Sequence, residues 1–250
     1  MKFVVAICVL FCATHIHAII NGYSAPQSPH NVHVFSMIDA NLGIGGGGSL
    51  ISSLHILTAG NLIHNFIEWR CRFGSQLLLQ TRQVISHTAL AHPEYTPNPR
   101  QNDIGIITLP ANIILSFSVD VAPISLPTLN SPQQIPLENE QGSMIGFGGT
   151  GGTSTSVERL QRGHQRVVDE ARCNFVFGVD NINFFCGEDS VSRSNICNQD
   201  IGGGFVVSYN GVDTLMGISA MVIEACSATW PSAYTRIQPY RTWIRSVTSV

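Results

Sequence analysis

Three segments carry residues whose types could do chemistry together. Cys197-Asn198-Gln199-Asp200-Ile201-Gly202-Gly203-Gly204 sets a carboxylate and a branched hydrocarbon in front of a glycine run. Leu57-Thr58-Ala59-Gly60-Asn61-Leu62 ends in a carboxamide, and Asn102-Asp103-Ile104-Gly105-Ile106-Ile107-Thr108-Leu109 opens on a second carboxylate. Ile201 has no group that can lose a proton and attack a carbonyl. The amide of Asn61 has no nitrogen that titrates near neutral pH, so it cannot shuttle a proton. Asp103 alone keeps acid–base character. His64, three residues beyond Asn61, is the one spare histidine nearby, and without a nucleophile it has nothing to activate. The glycine-rich runs 45–48 and 148–152 lack a following Lys-Ser/Thr and are not phosphate loops. No metal and no cofactor is expected.

Taken in order, these segments resemble the trypsin-like serine proteases of peptidase family S1. That family writes its nucleophile loop C-x-G-D-S-G-G-P, its histidine segment L-T-A-A-H-C and its aspartate segment N-D-I-A-L-I-x-L. His92-Pro93-Glu94-Tyr95, Gly146-Phe147-Gly148, Phe185-Cys186-Gly187, Pro231-Ser232-Ala233-Tyr234-Thr235-Arg236 and Tyr240-Arg241-Thr242-Trp243-Ile244 also fall in family order, so the resemblance covers the chain after residue 18. It implies that Ile201, Asn61 and Asp103 stand at the three triad positions. Gln199 stands at the oxyanion glycine, where a Cβ disfavours the required backbone. Asn195 would lie at the bottom of the specificity pocket. Met221-Val222-Ile223 would replace S-W-G, with Ile223 projecting into the pocket mouth and Ser232 on its wall. The resemblance pairs Cys173 with Cys186 and Cys197 with Cys226, and places Gly46 and Leu62 where a third bridge is missing. Cys71 is left over, as a buried inert thiol or an intermolecular link. Ile19-Ile20-Asn21-Gly22 resembles the mature start I-V-G-G. This implies an ion pair between the freed α-amino group of Ile19 and Asp200, unless Asp200 merely survives as a loop residue.

The elements that must position these residues read as β. Short β-branched and aromatic runs at 31–38, 49–57, 77–87 and 215–223 alternate with Gly, Pro and Asn turns, the pattern of a sandwich or barrel. One late helix is expected over 239–250, with Trp243, Ile244 and Val247 on one face. The family resemblance selects two packed six-stranded antiparallel barrels, the first over about 19–125 and the second over about 126–238. Residues 1–18 read as a secretory signal, with Lys2, an apolar stretch from Phe3 to Ala13, and Ala18 at the cut. No stretch is long enough for a membrane anchor.

After residue 18 twelve arginines face sixteen carboxylates, a mild imbalance with no basic stripe, so neither nucleic acid nor a membrane is an expected partner. The same 232 residues contain no lysine. Arginine keeps its charge where lysine loses it, which predicts an alkaline working fluid, compositional drift being the alternative. The bias resembles that of digestive proteases in the larval moth midgut, implying secretion into a gut lumen. The functional expectation is a secreted, non-catalytic protease homologue. It would bind a protein partner (a protease, a protease inhibitor or a peptide) through the former active-site face. The competing expectations are a hydrolase of weak or altered activity and a storage protein.

Overall fold

The computed structural model describes residues 19–110, 119–149, 157–180, 182–223 and 226–250; the expected signal segment lies outside them. One sheet runs in the order β6 (Arg82–Ser86), β5 (Glu68–Phe73), β2 (Asn31–Met37), β3 (Gly43–Leu50), β4 (His55–Thr58), β10 (Gly105–Thr108) and β7 (Thr88–Ala91). Its edge strands β6 and β7 are consecutive stretches of one run, separated by His87, and no ladder joins them. The one run 82–91 thus pairs with β5 through its first half and with β10 through its second, as the barrel expectation has it. A short ladder, β8 (Thr96–Pro97) with β9 (Arg100–Gln101), stands apart just before Asp103.

The second sheet closes through a ladder of its own. Its order is β12 (Gln161–Val167), β11 (Gln141–Gly146), β14 (Gly204–Tyr209), β15 (Val212–Met221), β16 (Ser232–Arg236) and β13 (Phe184–Glu188), and β13 pairs back onto β12. The first strand, β1 (Tyr23–Ser24), adds to the outside of β12. Tyr23 and Ser24, early in the described chain, thus pair with the second sheet.

Alternation dictates these strands. In β5, Trp69, Cys71 and Phe73 are buried while Glu68, Arg70 and Arg72 face outward, as a period of two requires. The apolar run 49–57 is two strands, because the Ser52 hydroxyl accepts from the N–H groups of Leu54 (3.2 Å) and His55 (3.1 Å) and turns the chain. The last helix is α2 (Arg241–Thr248), preceded by a 3₁₀ turn over Gln238–Tyr240. An earlier helix, α1 (Glu170–Phe177), was not read from the sequence. Only Cys173 of its eight residues is buried, so it has no apolar stripe; Asp169 caps its start and Gly178, at φ 62°, ends it.

Between the sheets, Leu57, Ala59, Ile104 and Ile106 pack against Val206, Leu215, Ile218, Ile237 and Ile244. Ile201 packs partly on this cluster and partly on the core of the second barrel, so position 201 lies at the seam. Two disulfides, Cys173–Cys186 and Cys197–Cys226, are formed. Cys71 is free and fully buried, and burial pushes its thiol up to about 12. An intermolecular link through it is thereby ruled out by geometry. In the native protein Cys71 should resist iodoacetamide at pH 9, and denaturation should expose one reactive equivalent; mass spectrometry of both reactions reads the result.

Candidate functional site

The seam gathers the segments that sequence reading singled out. Asn61 sits in a 3₁₀ turn, Gly60–Leu62, directly after β4, and Ile201 lies in the loop entering β14. Asn61, Leu62, Gln199 and Ile201 line one open cavity of about 500 Å³, together with Phe35 and Ile44. Asp103 lies behind it, fully buried, and accepts from the backbone N–H of Asn61 at 2.8 Å. Its own carbonyl accepts from the Thr235 hydroxyl at 2.9 Å, which ties it to the second barrel. His64 is exposed, its ring 5.5 Å from that of Tyr95, and it does not line the cavity.

Arg100 was not anticipated. Its Nη1 lies 3.3 Å from the Asp103 carboxylate and donates to the Ala220 carbonyl at 2.6 Å. Burial pushes the Asp103 carboxyl up from its ordinary range, while the Arg100 guanidinium and the Asn61 N–H pull against that rise. A buried carboxylate without a positive or hydrogen-bonding partner is costly. An arginine head group here supplies both. The signal for it was the spacing alone, a cation three residues before the aspartate. The Asn61 amide leaves its Oδ1 buried with no donor among the described residues.

Gln199 corrects an expectation. Despite its Cβ, its φ is +69°, the left-handed region that glycine would take. Among the described residues no acceptor meets the N–H of Gln199 or of Ile201. The loop therefore keeps two free backbone donors beside an aliphatic side chain. Leu62 explains the missing third bridge. A Cβ on Gly46 would lie 2.3 Å from Leu62 Cδ1, so the leucine occupies the space that a cysteine at position 46 would need.

Asn195 is buried and fully committed. Its Nδ2 donates to the carbonyls of Ser227 (2.8 Å) and Trp230 (2.9 Å). Its Oδ1 accepts from Gln165 Nε2 (3.0 Å), from the Ile196 N–H (2.9 Å) and from the hydroxyl of Ser232. Asn195 and Ser232 thus bind each other and offer no polar atom to a ligand. Val222, not Ile223, packs against the cluster containing Ile196 and Met216, while the Ile223 carbonyl accepts from the Cys226 N–H at 3.0 Å.

Asp200 is buried, with one oxygen accepting from Gly148 N–H (2.9 Å) and the other from Cys197 N–H (3.0 Å). Burial pushes its carboxyl up to about 8, and these two bonds only partly oppose that rise. No cationic side chain pairs with it among the described residues. Ile19 is fully buried in the second-barrel core, and Ile20 exchanges backbone bonds with Asn195 at 2.9 and 3.1 Å.

No group of acidic, histidine or cysteine side chains with metal-binding geometry occurs among the described residues. No described helix is long and apolar enough to cross a membrane.

A family model for trypsin matches residues 19–244. The chain is 27% identical to a collagenase of Hypoderma lineatum over 241 residues, covering 93% of this chain and 88% of that one. It is 27% identical to a chymotrypsin of Phaedon cochleariae, covering 91% and 81%. Among solved structures, HL collagenase superposes with a TM-score of 0.80 at 27% identity, over 93% of this chain and 99% of that one.

Proposed function

The chain belongs to the trypsin family, and on that premise we propose that it is a secreted, non-catalytic member which binds a protein partner through the face carrying Asn61, Asp103 and Ile201. The observation that carries this reading is the cavity at the seam: it brings Asn61 and Ile201 together and supplies neither a nucleophile nor a base. Arg100 on Asp103 supports it, because the remaining carboxylate is engaged by a cation that cannot relay a proton. The partner is a protease, a protease inhibitor or a peptide. The committed hydrogen bonds of Asn195 and Ser232 favour a partner that does not anchor a long basic side chain there. In the same reading, removal of residues 1–18 frees the Ile19 α-amino group to pair with Asp200.

Purified protein incubated with fluorogenic peptides and with a serine-directed covalent probe tests the central point. No hydrolysis and no labelling at residue 201 is the expected result. Turnover that scales with protein concentration and disappears in Asp103→Asn would instead make this a hydrolase of altered chemistry.

The alkaline setting has a limit set by the fold. Burial raises the phenols of Tyr95, Tyr209, Tyr234 and Tyr240 and the thiol of Cys71, so they stay neutral in the native state. An acid whose pKa is raised by folding stabilises the native state below its unfolded pKa. That contribution is lost as pH climbs above it. With unfolded values of 9.0 for Cys71 and 10.0 for the tyrosines, stability should hold from pH 7 to about 9 and fall beyond about 10. Thermal melts followed by circular dichroism across that range check it, and loss of structure before pH 9 would remove support for an alkaline fluid.

A further inference from the structure

A second cavity, of about 310 Å³, shares no lining residue with the one at the seam. Its apolar walls come from stretches that meet only in the fold: Leu126 and Pro127 after the first sheet, Ile135 before β11, and Met216 of β15. Met216 is 1% exposed and belongs to the core of the second barrel, so the cavity reaches down to that core. An apolar body gains by leaving water for such walls.

The walls are held in place before any ligand arrives. Arg241 Nε donates to the Pro127 carbonyl at 2.6 Å, Gln238 Nε2 to the Ser131 carbonyl at 2.8 Å, and Arg236 Nη1 to the Pro136 carbonyl at 2.9 Å. All three donors belong to buried residues, so the segment 127–136 is pinned by the chain that runs from β16 into α2. A preformed cavity spares a ligand the ordering of its own site.

One charged side chain lines this cavity, that of Glu140. Its Oε2 accepts from the Tyr209 hydroxyl at 2.7 Å and from the Leu137 N–H at 2.9 Å. Its Oε1 meets no donor, and no cation pairs with it, among the described residues. The backbone of Glu140 is fixed as well, donating to the Leu137 carbonyl at 3.1 Å and accepting from the Val167 N–H at 2.9 Å. A half-satisfied carboxylate beside apolar walls decides the ligand. A neutral hydrocarbon would cover the carboxylate and give it no donor. An anion would be repelled by it. An ammonium supplies a charge-assisted hydrogen bond to the free oxygen. The volume lies near the lower end of ligand cavities, about 300–1,000 Å³, which suits one ring or a short chain.

We propose that this cavity binds a small primary amine carried on an apolar body, of the aralkylamine class. The ammonium donates to Glu140 Oε1, and the hydrocarbon lies against Leu126, Ile135 and Met216. The site is separate from the seam and does not depend on whether the chain is catalytic.

The test sets 2-phenylethylamine against its neutral isostere 2-phenylethanol and against 3-phenylpropanoate, at pH 7. The methyl resonance of Met216 and the amides of Leu137 and Thr214 are followed by NMR. The amine should move all three and bind at least ~10-fold more tightly than the alcohol, the scale of one hydrogen bond to a charged group. The propanoate should move none. Glu140→Gln, whose amide oxygen can still accept from Tyr209, should bring the amine down to the affinity of the alcohol and leave the alcohol unchanged. Should that variant fail to fold, salt reads the same pairing in the unaltered protein: raising ionic strength from roughly 0.05 to 0.5 M must weaken the amine and spare the alcohol. Equal affinities of amine and alcohol, an amine indifferent to Glu140→Gln or to salt, shifts confined to Asn195 or to the seam, or no shift at all would each overturn the proposal.

Discussion

A double variant Asn61→His/Ile201→Ser is expected to stay near background hydrolysis, and a triple variant that also carries Arg100→Leu is expected to exceed it by at least ~10²-fold. The loop is prepared for the serine. Gln199 holds a left-handed backbone, and the N–H groups of Gln199 and Ile201 are free to receive a developing oxyanion. Asp103 is prepared for the histidine only in part. The Arg100 guanidinium already lies on its Oδ2 and is anchored by the Ala220 carbonyl. An imidazole at position 61 must be oriented by that carboxylate to act as a base. With arginine in place it would compete for the oxygen and feel a neighbouring positive charge, which lowers its pKa. Steady-state assays on fluorogenic peptides compare the three proteins. Equal activity of the double and triple variants would show that Arg100 does not obstruct the site.

The second large effect concerns the N-terminus. Protein beginning at Ile19 should melt roughly 10 °C above protein that retains even Ala18 at pH 8, the scale of a buried ion pair of about 3–5 kcal/mol in a chain of this length. The sign follows from Asp200. With no cation beside it, burial holds its carboxyl near 8, far above the unfolded value of 3.8. An acid raised in this way contributes stability below pH 3.8 and loses it progressively as pH rises to 8. A free α-amino group would oppose that rise and keep the carboxylate stable when charged. The two forms should therefore converge below about pH 4 and separate as pH rises. Calorimetry on both across pH 3.5–8 reads the difference, and parallel curves would remove Ile19 and Asp200 as partners. Asp200→Asn should abolish the separation, its single amide oxygen keeping only one of the two bonds from Gly148 and Cys197.

Legibility in the sequence followed the range over which each property acts. Whether position 201 can attack or position 61 can take a proton is a matter of one side chain's atoms, so residue identity decided it. Strands such as β5 were readable because alternation is local, and α2 because its apolar face recurs within eight residues. The helix α1 was not, because a disulfide at Cys173 and caps at Asp169 and Gly178 hold it in place of an apolar stripe.

What these segments lack chemically was therefore written in their residues: the side chains of Asn61 and Ile201 cannot titrate near neutral pH. What stands in their place was decided by folding. Arg100 on Asp103, Leu62 against Gly46, Asn195 against Ser232, and Gly45 beside Gln199 each depend on distances between groups brought together by the fold. Hydrogen bonds and van der Waals contacts act over a few ångströms, and only the packed sheets bring these groups within that range.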